Sequence, residues 1–385
     1  MKVVILTNIL APYRVPLFEE IGRRVDELTI VLMADRHENR EWVLPNHNLK
    51  TVTLPGFHFR PPAHQVSLHL NYGVFKTLRR LKPDIVLSGG FAPANILAFL
   101  YCKIFTKQFI GWGEIDLRDG SSTSVIRTAL RRCVTTYSEG AIASSTEASQ
   151  AFVRYGAKRN RILLSLMPID VEFFRQETLK CKQDSEHVAQ HKNYGRPILL
   201  VVGRIIKMKG FEELFEIFQR LRRSHAEVSL LIVGDGPDRL SYEERALKLK
   251  NIHFAGFVQM EQLPQFLALA DVFLFPTLND PFGAVLSEAM AAGLPVVSSI
   301  YAAATRDLVE DGVTGFSIDP TDIASSTATI LKVLDMSEEK RAELIQAAYR
   351  RVLQTDIGPT AESMVNFMRS LLDSQKQSRH PPTNM

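Results

Sequence analysis

The segment PTLNDPFGAVLSEAMAAGLPVVS, residues 276–298 of the 385-residue chain, carries the clearest indication of the fold. It follows VFLF, residues 272–275, a short apolar run typical of a buried strand. A loop with Asp280 comes next, and the apolar stretch up to Gly293 predicts a helix that this glycine ends. Pro295 and two valines then begin another strand. The segment therefore predicts a strand, a loop, a helix and a second strand, as in α/β proteins.

Two acidic side chains lie near the start of this predicted helix. Asp280 is in the loop, and Glu288 follows eight residues later on the helix. The unpaired N–H groups and partial positive charge of a helix N-terminus suit a phosphate, and we expect those of Phe282, Gly283 and Ala284 to face one. Carboxylates beside a phosphate can accept hydrogen bonds from sugar hydroxyls. Together these features predict a site for a nucleotide-sugar.

The segment resembles the donor-site signature of family 4 glycosyltransferases, which are retaining enzymes with the GT-B fold. The family pattern is Glu-x7-Glu followed by Ala-Met-Ala-x-Gly-x-Pro-Val, and this chain has Asp280-x7-Glu288 followed by AMAAGLPV. The resemblance implies that Glu288 receives the ribose hydroxyls of the donor. It also implies that Asp280 reads hydroxyls of the transferred sugar.

Asp280 departs from the family pattern, because its side chain is one methylene shorter than that of glutamate. Hydrogen bonds fall in a narrow range of about 2.7–3.0 Å, so the shortening matters. Either the loop compensates or the donor sugar differs. Asp280 could instead be the N-cap of the following helix, an ordinary structural role for aspartate.

A second motif lies on the loop after an earlier apolar strand, residues 198–202. Arg204 follows Gly203 at the strand end, and Lys209 precedes Gly210 at the start of the next predicted helix. The family pattern here is Gly-Arg-x4-Lys-Gly. The resemblance therefore implies that Arg204 and Lys209 bind the donor diphosphate as its negative charge grows. Lys209 taken alone could equally be an ordinary residue at a helix start.

Two further strand ends resemble turns of the family's donor site. GDGP, residues 234–237, matches a turn that borders the site, and FAGFV, residues 254–258, matches a loop that meets the base through backbone groups. Gly256 and Gly203 are therefore donor-binding candidates. The alternatives are an ordinary β–α turn and an ordinary strand end.

Alternating strand and helix signals predict two doubly wound, Rossmann-like α/β domains that face each other across a cleft, the GT-B arrangement. We assign residues 1–175 to an acceptor-side domain and residues 197–355 to a donor-binding domain. The polar, aperiodic residues 176–196 are interpreted as a linker. Residues 356–373 predict a C-terminal helix that packs back on the first domain, and residues 374–385 predict a disordered tail.

Candidate acceptor-side residues lie in the first domain, where the resemblance rests on pattern alone. The family's first loop often has two glycines, whereas this chain has LAPYR, residues 10–14, which leaves a diphosphate contact by this loop open. Asn8, Tyr13 and Arg14 follow the first predicted strand. Arg14 could bind an acceptor phosphate or the donor, or it could only pack locally. Glu114 is the candidate acid near the reacting anomeric carbon, with Asp116 as its rival.

Positive charge is concentrated in the first domain. Residues 1–175 hold 23 Lys and Arg against 15 Asp and Glu, whereas residues 176–385 hold 23 against 27. Arg127, Arg131 and Arg132 fall on a predicted amphipathic helix, which could lie on an anionic membrane or simply face solvent. No apolar run approaches the roughly 20 residues that span a bilayer. We therefore expect a cytoplasmic protein, either free or held peripherally on the inner face of the membrane.

Nothing in the sequence indicates a bound metal or cofactor. Asp-x-Asp, the metal-binding pair of GT-A transferases, does not occur, and His187 and His191 have no further ligand cluster beside them. The resemblance implies metal-independent, retaining transfer of a sugar from a nucleotide-diphosphate sugar to a hydroxyl acceptor, such as a lipid-linked or polysaccharide intermediate. A GT-B sugar-nucleotide epimerase and a non-catalytic sugar-nucleotide-binding protein stay open as alternatives. Nucleic-acid binding is not expected, because the basic half lacks interleaved aromatics and a recognised motif.

Overall fold

A computed structural model of the protein describes residues 1–35, 42–59, 68–114, 125–184 and 194–379. The chain divides into two compact units, Met1–Pro168 with Ile357–Met385, and Ile169–Asp356. The first stretch therefore ends at Pro168 instead of at the predicted residue 175. Each unit is built on a parallel sheet with helices packed against it.

Nine strands are described in the first unit. They are β1 (Lys2–Thr7), β2 (Glu27–Leu32), β3 (Lys50–Thr53), β4 (Gly56–Phe59), β5 (Leu68–Asn71), β6 (Ile85–Ser88), β7 (Gln108–Gly113), β8 (Gly140–Ala143) and β9 (Ile162–Leu164). β4 and β5 form a separate antiparallel hairpin. The other seven form one parallel sheet in the order β3-β2-β1-β6-β7-β8-β9. Its central strands are buried runs of Val, Ile and Leu, as expected for a sheet covered on both faces.

Helices connect these parallel strands. They are α1 (Val15–Gly22), α2 (Val74–Leu81), α3 (Pro93–Ile104), α4 (Val125–Tyr137) and α5 (Thr146–Arg154). One apolar cluster joins α1 to one face of the sheet, and a second joins α2 and α3 to the other face. No helix in the described ranges is both long and apolar enough to cross a bilayer.

The second unit repeats the same architecture. Its described strands are β10 (Ile198–Val202), β11 (Ser229–Val233), β12 (Ile252–Gly256), β13 (Val272–Phe275), β14 (Val296–Ser299) and β15 (Phe316–Ile318). They form a parallel sheet in the order β12-β11-β10-β13-β14-β15. The strand order reverses direction between β10 and β13, and such switch points are where open α/β sheets bind ligands at their carboxyl ends.

The helices of the second unit cover both faces of this sheet. They are α6 (Val171–Gln183), α7 (Phe211–Leu221), α8 (Arg239–Ala246), α9 (Leu263–Leu269), α10 (Ala284–Ala291), α11 (Ala303–Leu308), α12 (Ile323–Leu334) and α13 (Glu338–Val352). One apolar cluster of the unit packs α7 against the sheet through buried phenylalanines, Phe211, Phe215 and Phe218.

The predicted linker at residues 176–196 is wrong for its first part, because α6 continues to Gln183. Asp170 caps this helix, and its Oδ1 accepts the N–H of Phe173 at 2.9 Å. Val171, Phe174 and Thr178 are buried at helical spacing, which the polar residues between them obscure in the sequence. Residues 185–193 lie outside the described residues.

The chain returns to the first unit in α14 (Ile357–Arg379). Buried Met364, Val365 and Met368 of this helix belong to the same apolar cluster as Phe18 and Ile21 of α1. The helix continues beyond residue 373, so the prediction of disorder is wrong for residues 374–379. Residues 380–385 lie outside the described residues.

The apolar spacing of residues 68–81 predicts one helix, and the structure shows a strand followed by a helix. Residues 68–71 pair with β4, and α2 begins only at Val74. Gly73 separates them with a φ of +82°, which suits glycine and breaks a helix. The buried Asn71 amide donates to the carbonyl of Met33 at 2.7 Å and so ties the strand to the main sheet.

Candidate functional site

Three glycines lie together at the carboxyl ends of neighbouring strands of the second unit. Gly203 donates to the carbonyl of Val233 at 2.9 Å, and Gly234 donates to that of Gly256 at 2.8 Å. A β-carbon on Gly234 would lie 1.9 Å from the carbonyl oxygen of Gly203, so only glycine fits there. A β-carbon on Gly203 would meet no atom within 4 Å, so this strand end is open to a ligand.

The two motifs singled out in the sequence meet in the structure. The N–H of Leu278 donates to the carbonyl of Met208 at 2.9 Å, and the hydroxyl of Thr277 is shared between that carbonyl at 3.2 Å and the carbonyl of Asn279 at 2.9 Å. The loop after β10 is therefore joined to the loop after β13. Thr277 is fully buried and was not predicted as a site residue, because its role depends on a contact between distant segments.

The two predicted diphosphate-binding cations have different surroundings. The ammonium of Lys209 forms an ion pair with Oδ2 of Asp280 and lies 5.9 Å from the centre of the Phe275 ring. Arg204 is half-buried and has no ion-pair or hydrogen-bond partner among the described side chains. Of these two cations, Lys209 is thus paired with an acidic side chain, and Arg204 has no such partner among the described residues.

Asp280 is fixed by its backbone as well as by its side chain. Its N–H donates to the carbonyl of Tyr301 at 3.3 Å, and its carbonyl accepts the N–H of Ala303 at 3.3 Å. Oδ1 accepts the N–H of Phe282 at 3.1 Å. This is an Asx turn, in which aspartate bonds to the backbone two residues later. The alternative role as N-cap of α10 is wrong, because Gly283 occupies that position.

Gly283 sets the start of α10 in a left-handed conformation with a φ of +96°. A β-carbon there would lie 2.4 Å from Cε1 of Phe275, so glycine lets the helix begin close to strand β13. The N–H groups of Gly283 and Ala284 donate to no carbonyl among the described residues. The N–H of Phe282 is used by Asp280, which leaves the expected phosphate contact to Gly283 and Ala284.

Glu288 lies on α10, in a mainly buried stretch of Ala, Leu, Met and Ser. Burial raises the pKa of its carboxyl from 4.5 to about 7. Its side chain is half-buried and has no hydrogen-bond or ion-pair partner among the described residues. A desolvated carboxyl without a partner is unfavourable unless a ligand supplies hydrogen bonds, which makes Glu288 a candidate ligand-binding group.

Arg239 was not predicted from the sequence. Its guanidinium donates to Asp235 at 2.9 Å and to Glu243 at 2.6 Å. The same group lies 3.2 Å from where a β-carbon on Gly256 would be. Arg239 therefore covers one strand end of the glycine cluster. Arg239 is four residues from each of these acids, a spacing in the sequence that could have indicated the ion pairs.

Tyr13, Arg14 and Glu114, three of the predicted acceptor-side residues, lie near Trp112 in the first unit. The guanidinium of Arg14 lies 4.6 Å from the centre of the Trp112 ring, and its Nη2 lies 3.7 Å from Oε1 of Glu114. Tyr13 and Trp112 line one small pocket with Arg14. The side chain of Asn8 is exposed. Its backbone carbonyl accepts N–H groups from the segment after β2. Asp116, the rival of Glu114, lies outside the described residues.

Within the described ranges, no group of three or more His, Cys, Asp and Glu side chains has an arrangement that could hold a metal. His187 and His191 fall outside these ranges.

Comparison with known proteins finds a family match over part of the chain. Residues 182–351 match the family model described as "Glycosyl transferases group 1". The glycogen synthase of Mycobacterium tuberculosis is 32% identical over 200 residues, which are 50% of this chain and 48% of that protein. The GDP-mannose-dependent α-(1-6)-phosphatidylinositol monomannoside mannosyltransferase of Mycolicibacterium smegmatis is 28% identical over 290 residues, 69% of this chain and 71% of that protein. The chain therefore spans about half the length of the first of these relatives.

The fold is also found among solved structures. HepE of Anabaena, crystallised in complex with UDP, superposes with a TM-score of 0.75 at 18% identity, over 96% of this chain and 100% of that one. The predicted GT-B fold with two Rossmann-like domains is confirmed. Residues 182–351 are therefore similar to the group 1 glycosyl transferases, within a chain that has the GT-B fold.

Proposed function

We propose that this protein is a glycosyltransferase that moves a sugar from a nucleotide-diphosphate sugar to a hydroxyl group of an acceptor. The observation that carries the proposal is the junction of the loop after β10 with the loop after β13. It places the cations Arg204 and Lys209 on a loop bonded to the segment that leads into the free N-terminus of α10. Cations and helix N–H groups are the donors that stabilise a leaving diphosphate.

Each donor-site residue has a role that its surroundings support. Arg204 and Lys209 bind the diphosphate, and the N–H groups of Gly283 and Ala284 donate to its oxygens. Glu288, whose carboxyl has no partner among the described residues, accepts the ribose hydroxyls. The backbones of Gly203 and Gly256 allow close approach of the nucleotide, because neither carries a side chain at the strand end.

The proposed transfer retains the anomeric configuration and needs no metal. The acceptor oxygen bonds to the anomeric carbon on the face from which the diphosphate leaves, and the leaving diphosphate takes the acceptor proton. Arg204 and Lys209 stabilise the charge that develops on the diphosphate, the role that a metal ion has in other transferases. Glu114, in the first unit, is proposed to lie near the reacting carbon.

The proposed acceptor is a lipid-linked or polysaccharide intermediate, reached at an anionic membrane surface on the cytoplasmic side. Helix α4 supports this proposal. Its Val125 and Ile126 are 84% and 78% exposed, and exposed Arg127 and Arg132 lie on the same helix. Exposed apolar residues next to basic ones suit an interface with anionic lipid. Sedimentation with vesicles that is independent of anionic lipid would count against the membrane proposal.

A donor-consumption assay tests the proposed function. The protein is incubated with UDP-, GDP-, ADP- and TDP-sugars, with and without EDTA, in the presence of a membrane lipid extract or soluble glycans. We expect one donor to release its nucleoside diphosphate with chelator present, and the product's anomeric proton to report retention by NMR. Glu288→Ala is the inactive control.

Other outcomes would point to the alternatives. Interconversion of the sugar nucleotide without acceptor would favour an epimerase. Donor binding without release or transfer would favour a non-catalytic sugar-nucleotide-binding protein.

A further inference from the structure

Both carboxylate oxygens of Asp280 are engaged by the protein. Oδ2 is paired with the ammonium of Lys209, and Oδ1 accepts the N–H of Phe282 at 3.1 Å. The paired side chains are only 20% and 16% exposed, so solvent screens the pair less than it screens a surface pair. These two contacts fix the orientation of the carboxylate.

The backbone of Asp280 is also held. Its N–H bonds to the carbonyl of Tyr301, and its carbonyl bonds to the N–H of Ala303, each at 3.3 Å. These bonds tie the loop to the segment after β14, where Asp280 forms a bridge with Ala302. The position of the carboxylate is thus determined from both sides of the residue, and with it the position of the Lys209 ammonium.

The identity of the residue fits this arrangement. An Asx turn needs a side chain short enough to reach the N–H two residues later, which aspartate and asparagine provide. Glutamate, the residue of the pattern that this segment resembles, is one methylene longer and is not suited to this turn. Aspartate can therefore define the loop before α10 and hold Lys209 at once.

We propose that Asp280 is a positioning residue, which orients Lys209 and the start of α10 towards the diphosphate. The inference rests on the proposed function, since it assumes that Lys209 binds a donor diphosphate. It assigns to Asp280 a role beyond the one that the resemblance implies.

Calorimetric titration of a nucleoside diphosphate and of its sugar conjugate tests this role. UDP and UDP-glucose, or the GDP, ADP or TDP pair if the wild type prefers it, are titrated into the wild type and into Asp280→Asn. The variant keeps an acceptor for the Phe282 N–H and loses only the charge opposite Lys209. We expect both affinities to fall by the same factor, about threefold or more.

Two comparisons make the outcome decisive. In a Lys209→Ala background, Asp280→Asn should change neither affinity further, because the group that Asp280 positions is gone. A fall confined to the sugar conjugate, or no change for either ligand in the single variant, would overturn the inference while leaving the proposed function intact. If the wild type binds neither ligand of any pair, the proposed function fails and the inference falls with it.

Discussion

The carbonyl oxygen of Pro276 lies 2.0 Å from where a β-carbon on Gly210 would be. The two residues belong to the two motifs of the donor site, and this contact, with the bonds from Thr277 and Leu278 to Met208, closes one loop on the other. Gly210 has a φ of +71°, so both its conformation and its lack of a side chain are needed. The glycine that follows Lys209 is therefore explained by packing and not by ligand contact.

Gly210→Ala should destabilise the second unit and displace Lys209. A left-handed alanine costs about 1–2 kcal/mol, and the clash with a backbone oxygen adds to this. Gly293→Ala is the matched control, because Gly293 has a φ of +78° but its β-carbon would be 3.6 Å from the nearest atom. Chemical denaturation should show a larger loss for Gly210→Ala; equal losses would contradict the packing argument.

Glu288 should make stability depend on pH. Because its folded-state pKa is raised to about 7, the stability that it contributes is complete below pH 4.5 and is lost as the pH rises through about 7. The slope in this window is at most about 1.4 kcal/mol per pH unit. The Glu288→Gln variant stays neutral, so its stability relative to that of the wild type should increase as the pH rises. Parallel stability curves for the two proteins would show that the carboxyl does not titrate in this range.

Arg14 should affect the acceptor step and not nucleotide binding. Its guanidinium packs on Trp112 and faces Glu114, so Arg14→Lys keeps the charge but loses the planar contact, which is worth about 0.5–1 kcal/mol. We expect a higher acceptor KM and an unchanged Kd for the nucleoside diphosphate. Arg23→Lys, on a 70% exposed side chain, is the control. Weaker nucleotide binding in Arg14→Lys would place this residue at the donor instead.

Helix α14 should be an essential part of the first unit's core. Met364 is 1% exposed and shares an apolar cluster with α1. Met364→Ala should cost about 2–5 kcal/mol of unfolding free energy. Glu362→Ala, at an exposed position on the same helix, should change it by less than about 0.5 kcal/mol. Similar values for the two variants would mean that the helix is not held by this cluster.

The α/β architecture could be predicted because long, periodic segments alternate along the chain. Short helices and strands were harder to predict. The strand Leu68–Asn71 is apolar enough to continue the pattern of α2, and only the position of Gly73 separates them. Helix α6 was taken for a linker because three buried residues are spread among polar ones.

The candidate site was predictable where a local motif carries it. Lys209, Asp280 and Glu288 were singled out from local motifs and their resemblance to a family pattern, and the structure brings Lys209 and Asp280 into contact. That contact could not be foreseen, because it depends on how two loops far apart in sequence meet. The contact of Thr277 with the other loop could not be foreseen either, because Thr277 resembles an ordinary loop residue in the sequence.

The most direct test of the donor site is the thermal stabilisation of the wild type, Lys209→Ala and Lys207→Ala by UDP, GDP, ADP and TDP, with EDTA present. Lys207 lies two residues from Lys209 on the same loop and is exposed. One nucleotide at 100 times its Kd should stabilise the wild type and Lys207→Ala by about 2.7 kcal/mol and stabilise Lys209→Ala far less. Stabilisation of Lys209→Ala equal to that of the wild type, or no stabilisation of the wild type by any nucleotide, would contradict the account.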